Sequence, residues 1–495
     1  MLFTVEAMPP EGERIQSLVK RISDEGVRFI DFQFTDLPGR LHHITIPAVR
    51  FSLNMFSQGV PKLDGSSIRG FTEIFDSDLV LKPDPSTFAI IPWMSPENKT
   101  ARFLCDVYAG YGGGRLSSDP RFVAQRAEEY ALEQGFSSYW GPEVEFFVFK
   151  KVTWDVLNPY RGQSYFIESP EAAWSSGEGY PIRFKEGYFP TPPHDTLMEY
   201  RSTVVRLMED YFGVVCEAHH HEVATAGQCE IDMVRDRLVK MADSVMTLKY
   251  VVKNVAVQQG MVATMMPKPV FGDNASGMHV HVSLWGGNPA LTKLEEEKLV
   301  NLFYDADDEY AELSQLGRYF VGGLLEHSRA LTAITNPTTN SYRRLVPGYE
   351  APVFIAWSRG NRSANIRIPV YEKGVANAAR KRVEYRTPDP SCNPYLCFAA
   401  IMSAGLDGVR RKIDPGDPVD ENIYHLTPER RRQLGVKELP GSLKEAVECL
   451  KSDRGFLKPV FPDELVEKII ENGLSEHVQV SARTHPYEFY LYFDI

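Results

Sequence analysis

Charged and imidazole side chains recur two residues apart at three places in this chain, and this spacing restricts how those segments can fold. Glu143-Val144-Glu145, His279-Val280-His281 and Glu384-Tyr385-Arg386 each place two such side chains around one apolar or aromatic residue. On a β-strand, residues i and i+2 point to the same face, and the residue between them points to the other. The pattern therefore predicts strands with one face lined by acids, imidazoles and a guanidinium. Such a face is typical of a site for divalent metal and phosphate.

Turn residues and apolar periodicity divide the chain into two regions. Strand patterns dominate roughly the first 110 residues, and the glycine-rich segment 109–114 predicts a joint after them. Asp119-Pro120 then predicts a helix start, with the acid as N-cap and proline at the first helical position. We therefore expect an α+β protein with one domain over residues 1–112 and a second over residues 113–495. In the second domain strands alternate with longer helices.

The periodicity also predicts individual elements. Helices are expected over 13–26, 195–211, 236–259, 317–335, 394–412, 442–451 and 463–472, and strands over 28–34, 41–47, 139–149, 277–285, 364–369 and 383–387. Residues 152–190 are rich in Tyr, Trp, Pro and Gly, and we expect a long surface excursion there.

Charge and cysteine usage exclude several classes of protein. The formal net charge of −12 disfavours a nucleic-acid or anionic-membrane partner, because such partners need clustered Lys and Arg. The six cysteines include no Cys-x-x-Cys pair, which favours reduced thiols in a cytoplasmic protein. The N-terminus has no signal-peptide pattern, and no apolar run approaches the ~20 residues that span a bilayer. We expect a soluble, cytoplasmic protein.

Two groups of carboxylates predict a metal site. Glu143 and Glu145 would share one face of an otherwise apolar strand, and burying both without a cation costs several kcal/mol each. Glu222 and Glu230 add two more acids around a glycine turn. Histidines 219–221 suggest zinc, but adjacent strand residues cannot all face one metal, and carboxylates suit Mg²⁺ or Mn²⁺ better. The alternative is a half-exposed strand with solvated acids and structural histidines.

The remaining polar residues suggest a nucleotide site of unusual construction. Arginines lie among apolar residues at 343, 344, 362, 367 and 386, where they can bind phosphate or carboxylate, or form structural salt bridges. The chain has neither a Walker loop nor a Rossmann glycine pattern. A nucleotide would therefore have to be bound through metals and arginines.

With their surroundings, these residues resemble the glutamine synthetase family in its bacterial and archaeal type I form. The resemblance runs through residues 63–68, 141–147, 217–230, 268–283, 336–352, 361–369 and 384–395. It implies an N-terminal β-grasp domain followed by a larger catalytic α/β domain of the glutamine synthetase/guanidino kinase type. It also implies a homododecamer of two stacked hexameric rings, with each active site shared between adjacent subunits.

The resemblance implies a reaction and its metal ligands. The enzyme would join ammonia to the γ-carboxylate of L-glutamate through γ-glutamyl phosphate, with ATP as substrate and at least two Mg²⁺ or Mn²⁺ ions per subunit. The first ion would be held by Glu145, Glu222 and Glu230, and the second by Glu143, His279 and Glu384.

The resemblance also implies roles for other residues. The nucleotide would contact Glu217, His281, Ser283, Arg362 and Arg382, and glutamate would contact Glu145, Asn274, Ala275, Gly277, Arg344, Glu350 and Arg386. Ammonium would be bound by Asp64, Ser67, Tyr188 and Glu222. Among the catalytic residues, Asp64 from the adjacent subunit would deprotonate ammonium, Glu350 would close the site on a flap hinged at Pro347-Gly348, and Arg362 and Arg367 would neutralise the moving phosphoryl group.

Departures from the family pattern concern regulation more than chemistry. Tyr424 lies in Asn-Ile-Tyr-His-Leu-Thr, which disfavours its adenylylation, and Glu73 stands where feedback-inhibited relatives carry an arginine. Ala275 replaces a glycine of the glutamate loop. The lysine that the family pattern places near the nucleotide is displaced here, and that region contains Arg380, Lys381 and Arg382. Allosteric effectors, a PII-type partner and a small inhibitory protein are all left open.

Two other functions compete with this hypothesis. A γ-glutamyl ligase for polyamines or ethanolamine would use the same fold, but Asp64, Ser67, Tyr188 and Glu350 together favour ammonia. An inactive regulatory scaffold would be expected to lose metal ligands, and all six expected ligands are present.

Overall fold

The computed structural model describes residues 11–110, 112–175, 179–286, 299–370 and 373–494. The strands are β1 Phe29–Thr35, β2 Leu41–Pro47, β3 Val60–Asp64, β4 Asp78–Pro83, β5 Ala89–Ile90, β6 Thr100–Ala109, β7 Phe136–Phe149, β8 Lys151–Asp155, β9 Ser164–Glu168, β10 Cys216–His221, β11 Gln228–Met233, β12 Val262–Thr264, β13 Met278–Gly286, β14 Val300–Asn301, β15 Phe354–Arg359, β16 Ala364–Ile368, β17 Val383–Tyr385 and β18 Lys437–Glu438. The helices are α1 Glu11–Asp24, α2 Asn54–Gln58, α3 Pro120–Glu133, α4 Met198–Phe212, α5 Leu238–Gln258, α6 Gln315–Thr335, α7 Ser341–Arg344, α8 Pro394–Arg411, α9 Pro428–Gln433, α10 Leu443–Ser452, α11 Asp463–Ser481 and α12 Pro486–Tyr492.

The first unit is a mixed sheet with its own core. Its strands lie in the order β2-β1-β6-β4-β3, with β5 also paired to β6, and β1 runs parallel to β6. Phe32 and Phe103 stack in the middle, 6.5 Å between ring centroids, and Ile22 of α1 joins the same buried cluster. This is the β-grasp unit expected from the sequence. The expected division at residue 112 falls between β6 and α3, and we retain it as a proposal.

The second unit is built on a large, mainly antiparallel sheet. Its strands lie in the order β10-β11-β7-β13-β17-β16-β15-β18, with β12 paired to β7 and β14 to β13. Val144 and Phe146 of β7 are fully buried in the main core, which also contains residues of α3, α4, α5, α6 and α8. Because one face of the central strands packs in this core, their alternate residues are directed to the opposite face.

A buried arginine joins the two units. Arg121 of α3 forms ion pairs with Asp84 at 2.6 Å and Asp106 at 2.6 Å, both from the first unit, and with Asp243 of α5 at 2.9 Å. The guanidinium is nearly inaccessible, and these three carboxylates outweigh burial and hold the pKa of Arg121 above its ordinary value. The first unit is therefore fixed against the helices behind the large sheet.

Most of the predicted elements are confirmed, and a few differ from the prediction. The helix expected to stop at residue 472 continues to Ser481. Gly473 lies within it where α11 packs closely on α10, since a Cβ there would lie 2.7 Å from Cγ2 of Val447. The segment 152–190 contains an unpredicted hairpin, β8–β9, which presents Trp154 and Tyr165 to solvent. Helix α12 was also not predicted. Among the described residues, no helix is long and apolar enough to cross a membrane.

Candidate active site

Strand register brings the predicted acids and imidazoles into rows across the large sheet. In one row His220 pairs with Glu230, which pairs with Glu145. In the next row Asp232 pairs with Glu143, which pairs with His279. In a third row His281 pairs with Glu384, which pairs with Arg367. The side chains spaced two residues apart therefore form one continuous polar surface. It extends over five adjacent strands and over β16 next to them, in the order β10, β11, β7, β13, β17 and β16.

Two cavities open over this surface. The larger, about 1230 Å³, is lined by Glu143, Glu145, Lys185, Tyr188, His220, Glu222, Val223, Glu230, Asp232, Asn274, Ala275, Gly277, His279, Arg344, Tyr349, Glu350, Ala351, Arg359, Gly360, Asn361, Arg362, Ser363, Arg386, Asp420, Asn422 and Tyr424. The smaller, about 710 Å³, is lined by Tyr139, Gly141, Pro142, Glu143, Glu217, Asp232, Met233, Val234, Arg235, His281, Val282, Ser283, Pro369, Asn377, Arg380, Lys381 and Arg382. Glu143 and Asp232 line both cavities, so the two spaces meet at this pair of carboxylates.

The first group that could hold a cation lies in the larger cavity. Ligand atoms of His220, Glu222 and Glu230 all lie within 4.8 Å of one another. Glu145 stands beside Glu230 in the register, and its Oε2 accepts a hydrogen bond of 2.9 Å from Gln228. Gly277 packs against the same group, since a Cβ there would lie 3.1 Å from Glu145 Oε1 and 2.7 Å from Arg344 Nη2. A side chain at residue 277 would therefore intrude on the site.

The second group surrounds Glu143. Its Oε2 lies 2.9 Å from His279 Nδ1, and its Oε1 lies 2.8 Å from His281 Nε2. Glu143, His281 and Glu384 have ligand atoms within 4.8 Å of one another, but Arg382 Nε donates to Nδ1 of His281 at 3.1 Å. That donation places the His281 proton on Nε2, so the ring donates to Glu143 and offers no lone pair there. His279 Nδ1 lies 3.9 Å from Glu384 as well as close to Glu143, and among the described residues no cation donates to its ring. The His279 proton can therefore move to Nε2 and leave Nδ1 to a metal ion, which makes His279 the better ligand of the two histidines.

Electrostatics favour a cation among these acids. Burial is the main cause that raises the pKa of Glu145 and Glu230 well above the ordinary value, and nearby carboxylates add to it. Burial likewise raises the pKa of Glu222 and of Asp232 to about 7. The donors are carboxylate oxygens and imidazole nitrogens, a set that fits Mg²⁺ or Mn²⁺. A divalent ion would relieve the repulsion between their ionised forms.

Glu143 and Glu384 differ from the other acids because they already have positive or polar partners. Burial opposes ionisation of Glu143, but His281 and His279 outweigh it and hold its pKa well below the ordinary value. Glu384 lies 3.1 Å from Arg386 and also forms an ion pair with Arg367. Burial and Glu143 oppose its ionisation, but His281 and Arg386 lower its pKa. Both groups are therefore ionised near neutral pH.

Most of the predicted substrate-binding residues line one of the two cavities. Asn274, Ala275, Gly277, Arg344, Glu350 and Arg386 line the larger cavity, and Glu217, His281, Ser283 and Arg382 line the smaller. Arg362, expected to contact the nucleotide, lines the larger cavity. Arg367 is buried, and it is not among the described residues that line either cavity. Their binding roles stay predictions.

Glu350 lies on a loop over the larger cavity. Its φ of 60° is in the left-handed region, which is uncommon for a residue other than glycine. The hydroxyl of Tyr424 donates to the carbonyl oxygen of the next residue, Ala351, at 2.8 Å. The loop is therefore held on that side of Glu350.

The structure does not bring the whole predicted ammonium site together within one chain. Tyr188 and Glu222 line the larger cavity, but Asp64 and Ser67 are among the described lining residues of neither cavity. Asp64 is exposed, and hydrogen bonds from Ser66, led by its hydroxyl, lower the pKa of Asp64 below the ordinary value. An exposed, ionised Asp64 is available to another molecule.

Two residues of the acid and imidazole rows, Asp232 and His220, were not predicted as site residues. Asp232 follows Glu230 by two residues, so the same spacing rule could have identified it. His220 was assigned a structural role with its neighbours, but the strand alternation separates the three histidines. His221 turns away to Glu171, 3.2 Å distant, and His219 turns to Arg201, while His220 faces the acids. The prediction that the three cannot face one metal is confirmed by this geometry.

Comparison with known proteins gives a consistent result. The family model described as "Glutamine synthetase, catalytic domain" matches residues 117–492, and "Glutamine synthetase, beta-Grasp domain" matches residues 26–110. The chain is 54% identical to the glutamine synthetase of Sulfolobus acidocaldarius over 98% of this chain and 100% of that one. It is 43% identical to the Escherichia coli glutamine synthetase over 97% and 99% of the two chains. A Plasmodium falciparum glutamine synthetase structure superposes with a TM-score of 0.84 at 26% identity, covering 99% of this chain and 100% of the other.

Proposed function

The chain belongs to the glutamine synthetase family, and we propose that it makes L-glutamine from L-glutamate and ammonia, with ATP converted to ADP and phosphate. The observation that carries this proposal is the meeting of two cavities at Glu143 and Asp232. The predicted glutamate-binding residues line the larger cavity and most of the predicted nucleotide-binding residues line the smaller. The γ-phosphate and the γ-carboxylate would then meet beside Glu143 and Asp232.

Two divalent ions, Mg²⁺ or Mn²⁺, fit the two groups of acids. Glu145, Glu222 and Glu230 would hold one, with His220 beside them, and Glu143, His279 and Glu384 would hold the other. When bound, these ions supply positive charge that neutralises the phosphate oxygens and orients the two substrates.

The chain's own residues account for the first chemical step. Arg344 and Arg386, both buried, would bind and orient glutamate in the larger cavity. An oxygen of its γ-carboxylate attacks the γ-phosphorus of ATP, and the bond from that phosphorus to ADP breaks. Arg362, at the cavity wall, would stabilise charge on the transferred group, and buried Arg367 would act through Glu384.

The second step joins nitrogen to carbon. Ammonium would bind beside Tyr188 and Glu222 and give a proton to Asp64 of the adjacent subunit. The nitrogen then attacks the γ-carbon, the carbon–oxygen bond to phosphate breaks, and Glu350 takes the remaining extra proton. A homododecamer of two hexameric rings would supply Asp64 to each site. The exposed position of Asp64, outside both cavities of its own chain, supports this arrangement.

Replacing Glu350 should separate ATP use from glutamine formation. In Glu350→Ala we expect glutamate and ATP to bind nearly as before, because the buried arginines and acids are unchanged. The acyl phosphate would be open to water, so glutamine formed per phosphate released should fall about tenfold or more. Both products can be measured in the same reaction. An unchanged ratio would exclude the flap role of Glu350.

The choice of nitrogen donor is tested by product identification. ATP-dependent phosphate release is measured with Mg²⁺ and L-glutamate, using ammonium, putrescine, spermidine or ethanolamine in turn, and each product is identified by mass. We expect glutamine from ammonium and no γ-glutamyl amine from the others. Turnover only with an amine would move the chain to the γ-glutamyl-amine ligases and remove the ammonium role of Asp64.

A further inference from the structure

Two lysine side chains approach the ring of Tyr349, the residue before Glu350. The Nζ atom of Lys268 lies 3.9 Å from the ring centroid, and that of Lys185 lies 4.4 Å from it. At these distances an ammonium is attracted to the negative face of an aromatic ring. The lysines belong to two different segments outside the loop that carries Glu350, so one ring connects three separate parts of the chain.

The two lysines are also tied to one buried acid. Asp273 is fully buried and directly precedes Asn274 in the wall of the larger cavity. Its carboxylate accepts a hydrogen bond of 3.0 Å from the backbone N–H of Lys185, and its carbonyl oxygen accepts one from Lys268 Nζ. Asp273 therefore fixes the Lys268 ammonium and the backbone of Lys185 relative to the cavity wall.

Holding the ammonium groups of Lys185 and Lys268 close together is electrostatically unfavourable, and the Tyr349 ring helps to offset this repulsion. Lys268 is 9% exposed, and burial, with Lys185 nearby, lowers its pKa to about 8. Two ammonium groups gathered at one place repel each other, so a structure that keeps them together must gain from contacts to both. The ring of Tyr349 is one such contact. The carbonyl oxygen of Gly348, which accepts from Lys185 Nζ at 3.0 Å, is another.

These contacts hold the residues on both sides of Glu350. Glu350 has a left-handed backbone, so its conformation depends on what holds its neighbours in place. On one side Tyr349 and Gly348 are held by lysines, and on the other Ala351 is held by Tyr424.

We propose that Lys185, Tyr349 and Lys268 form a cation–π clamp that holds the 347–351 loop over the larger cavity and so positions Glu350. The proposal rests on the proposed function for the role of Glu350, but not for the clamp itself. Tyr349 is a positioning residue in this scheme. It links the loop to the Asn274 wall, so binding of substrate at that wall and closure of the loop favour each other.

Hydrogen exchange of the loop tests the clamp without any need for activity. In the free enzyme, Tyr349→Leu should increase amide exchange in peptides covering residues 346–352 by about tenfold, the effect of losing two cation–π contacts. Tyr349→Phe keeps the ring and is the matched control, with exchange expected within about twofold of wild type. Lys185→Met should increase exchange in the same peptides, and adding it to Tyr349→Leu should give less than the product of the two single effects.

The amount of glutamine formed per phosphate released tests whether the clamp positions Glu350. Tyr349→Leu should lower the amount of glutamine formed per phosphate released several-fold. Tyr349→Phe, which keeps the ring, should give the wild-type ratio. A general loss of packing around the loop would not explain this difference. Unchanged loop exchange in Tyr349→Leu, or unchanged coupling despite faster exchange, would overturn the proposal. If wild type makes no glutamine but the exchange pattern holds, the clamp stands as a loop anchor and the proposed function is the part in error.

Discussion

Glu143→Gln should lower the rate of glutamine formation on the order of 10³-fold. Glu143 lines both cavities and lies 2.9 Å from His279, its expected partner in holding the second ion. The amide has nearly the same shape but no charge, so the phosphoryl group would lose an ion at the point where substrates meet. Steady-state assays across a range of Mg²⁺ concentrations measure the effect, and the Mg²⁺ requirement should rise.

The same variant should still fold, with a slightly lower stability than wild type. His281 and His279 hold the pKa of Glu143 well below the ordinary value, so its ionised form stabilises the fold at neutral pH, and a neutral amide loses that contribution. The loss is partly offset because Glu143 is one of the charges that raise the pKa values of Glu222, Glu230 and Asp232. Thermal unfolding without metal should therefore give a cooperative transition with a slightly lower Tm. Glu129→Gln, at an exposed position on α3, is the matched control and should change the rate less than twofold. Normal Mg²⁺ dependence in Glu143→Gln would contradict the metal role.

Asp64→Asn should lower glutamine formation by about 10²- to 10³-fold at moderate ammonium concentration, because the group that removes a proton from ammonium is lost. The pKa of Asp64 is held below its ordinary value by hydrogen bonds from Ser66, so the carboxylate is ionised and ready to bind a cation. The KM for ammonium should rise, while the KM for ATP should change little. Initial rates with each substrate varied in turn measure these effects.

Mixed assemblies test whether Asp64 acts across an interface. If each site takes Asp64 from one subunit and Glu143 from its neighbour, random mixing of Asp64→Asn and Glu143→Gln subunits restores about a quarter of the sites. Co-expressed subunits should therefore recover far more activity than either variant alone. Activity no higher than that of the separate variants would place Asp64 and Glu143 in the same chain's site and remove the shared-site proposal.

The sequence predicts those parts of the molecule that are governed by local periodicity. The strand spacing of Glu143 with Glu145 and of His279 with His281 is reproduced on β7 and β13, and the helix expected over 394–412 is α8. The N-cap Asp119 with Pro120 marks the true start of α3. In each case the side chains that decide the structure are neighbours in sequence.

What the sequence alone does not give is the pairing between distant strands. The register that sets Glu230 beside Glu145, and Asp232 beside Glu143, pairs β11 with β7, and these strands are joined through a long connection. The choice between His279 and His281 as ligand depends on Arg382, about 100 residues further along and visible only in the folded chain. Gly473 is a similar case, since the close approach of Val447 that leaves no room for a side chain there is visible only in the folded chain.

The most direct test of the proposed reaction follows one oxygen atom. L-glutamate labelled with ¹⁸O in its γ-carboxylate is incubated with ATP, Mg²⁺ and ammonium, and the released phosphate is analysed by mass. Attack of the γ-carboxylate on the γ-phosphorus, followed by cleavage of the carbon–oxygen bond, should leave one ¹⁸O in each phosphate, in proportion to the glutamine formed. Phosphate without label, released while glutamine accumulates, would contradict activation through γ-glutamyl phosphate at the junction of the two cavities.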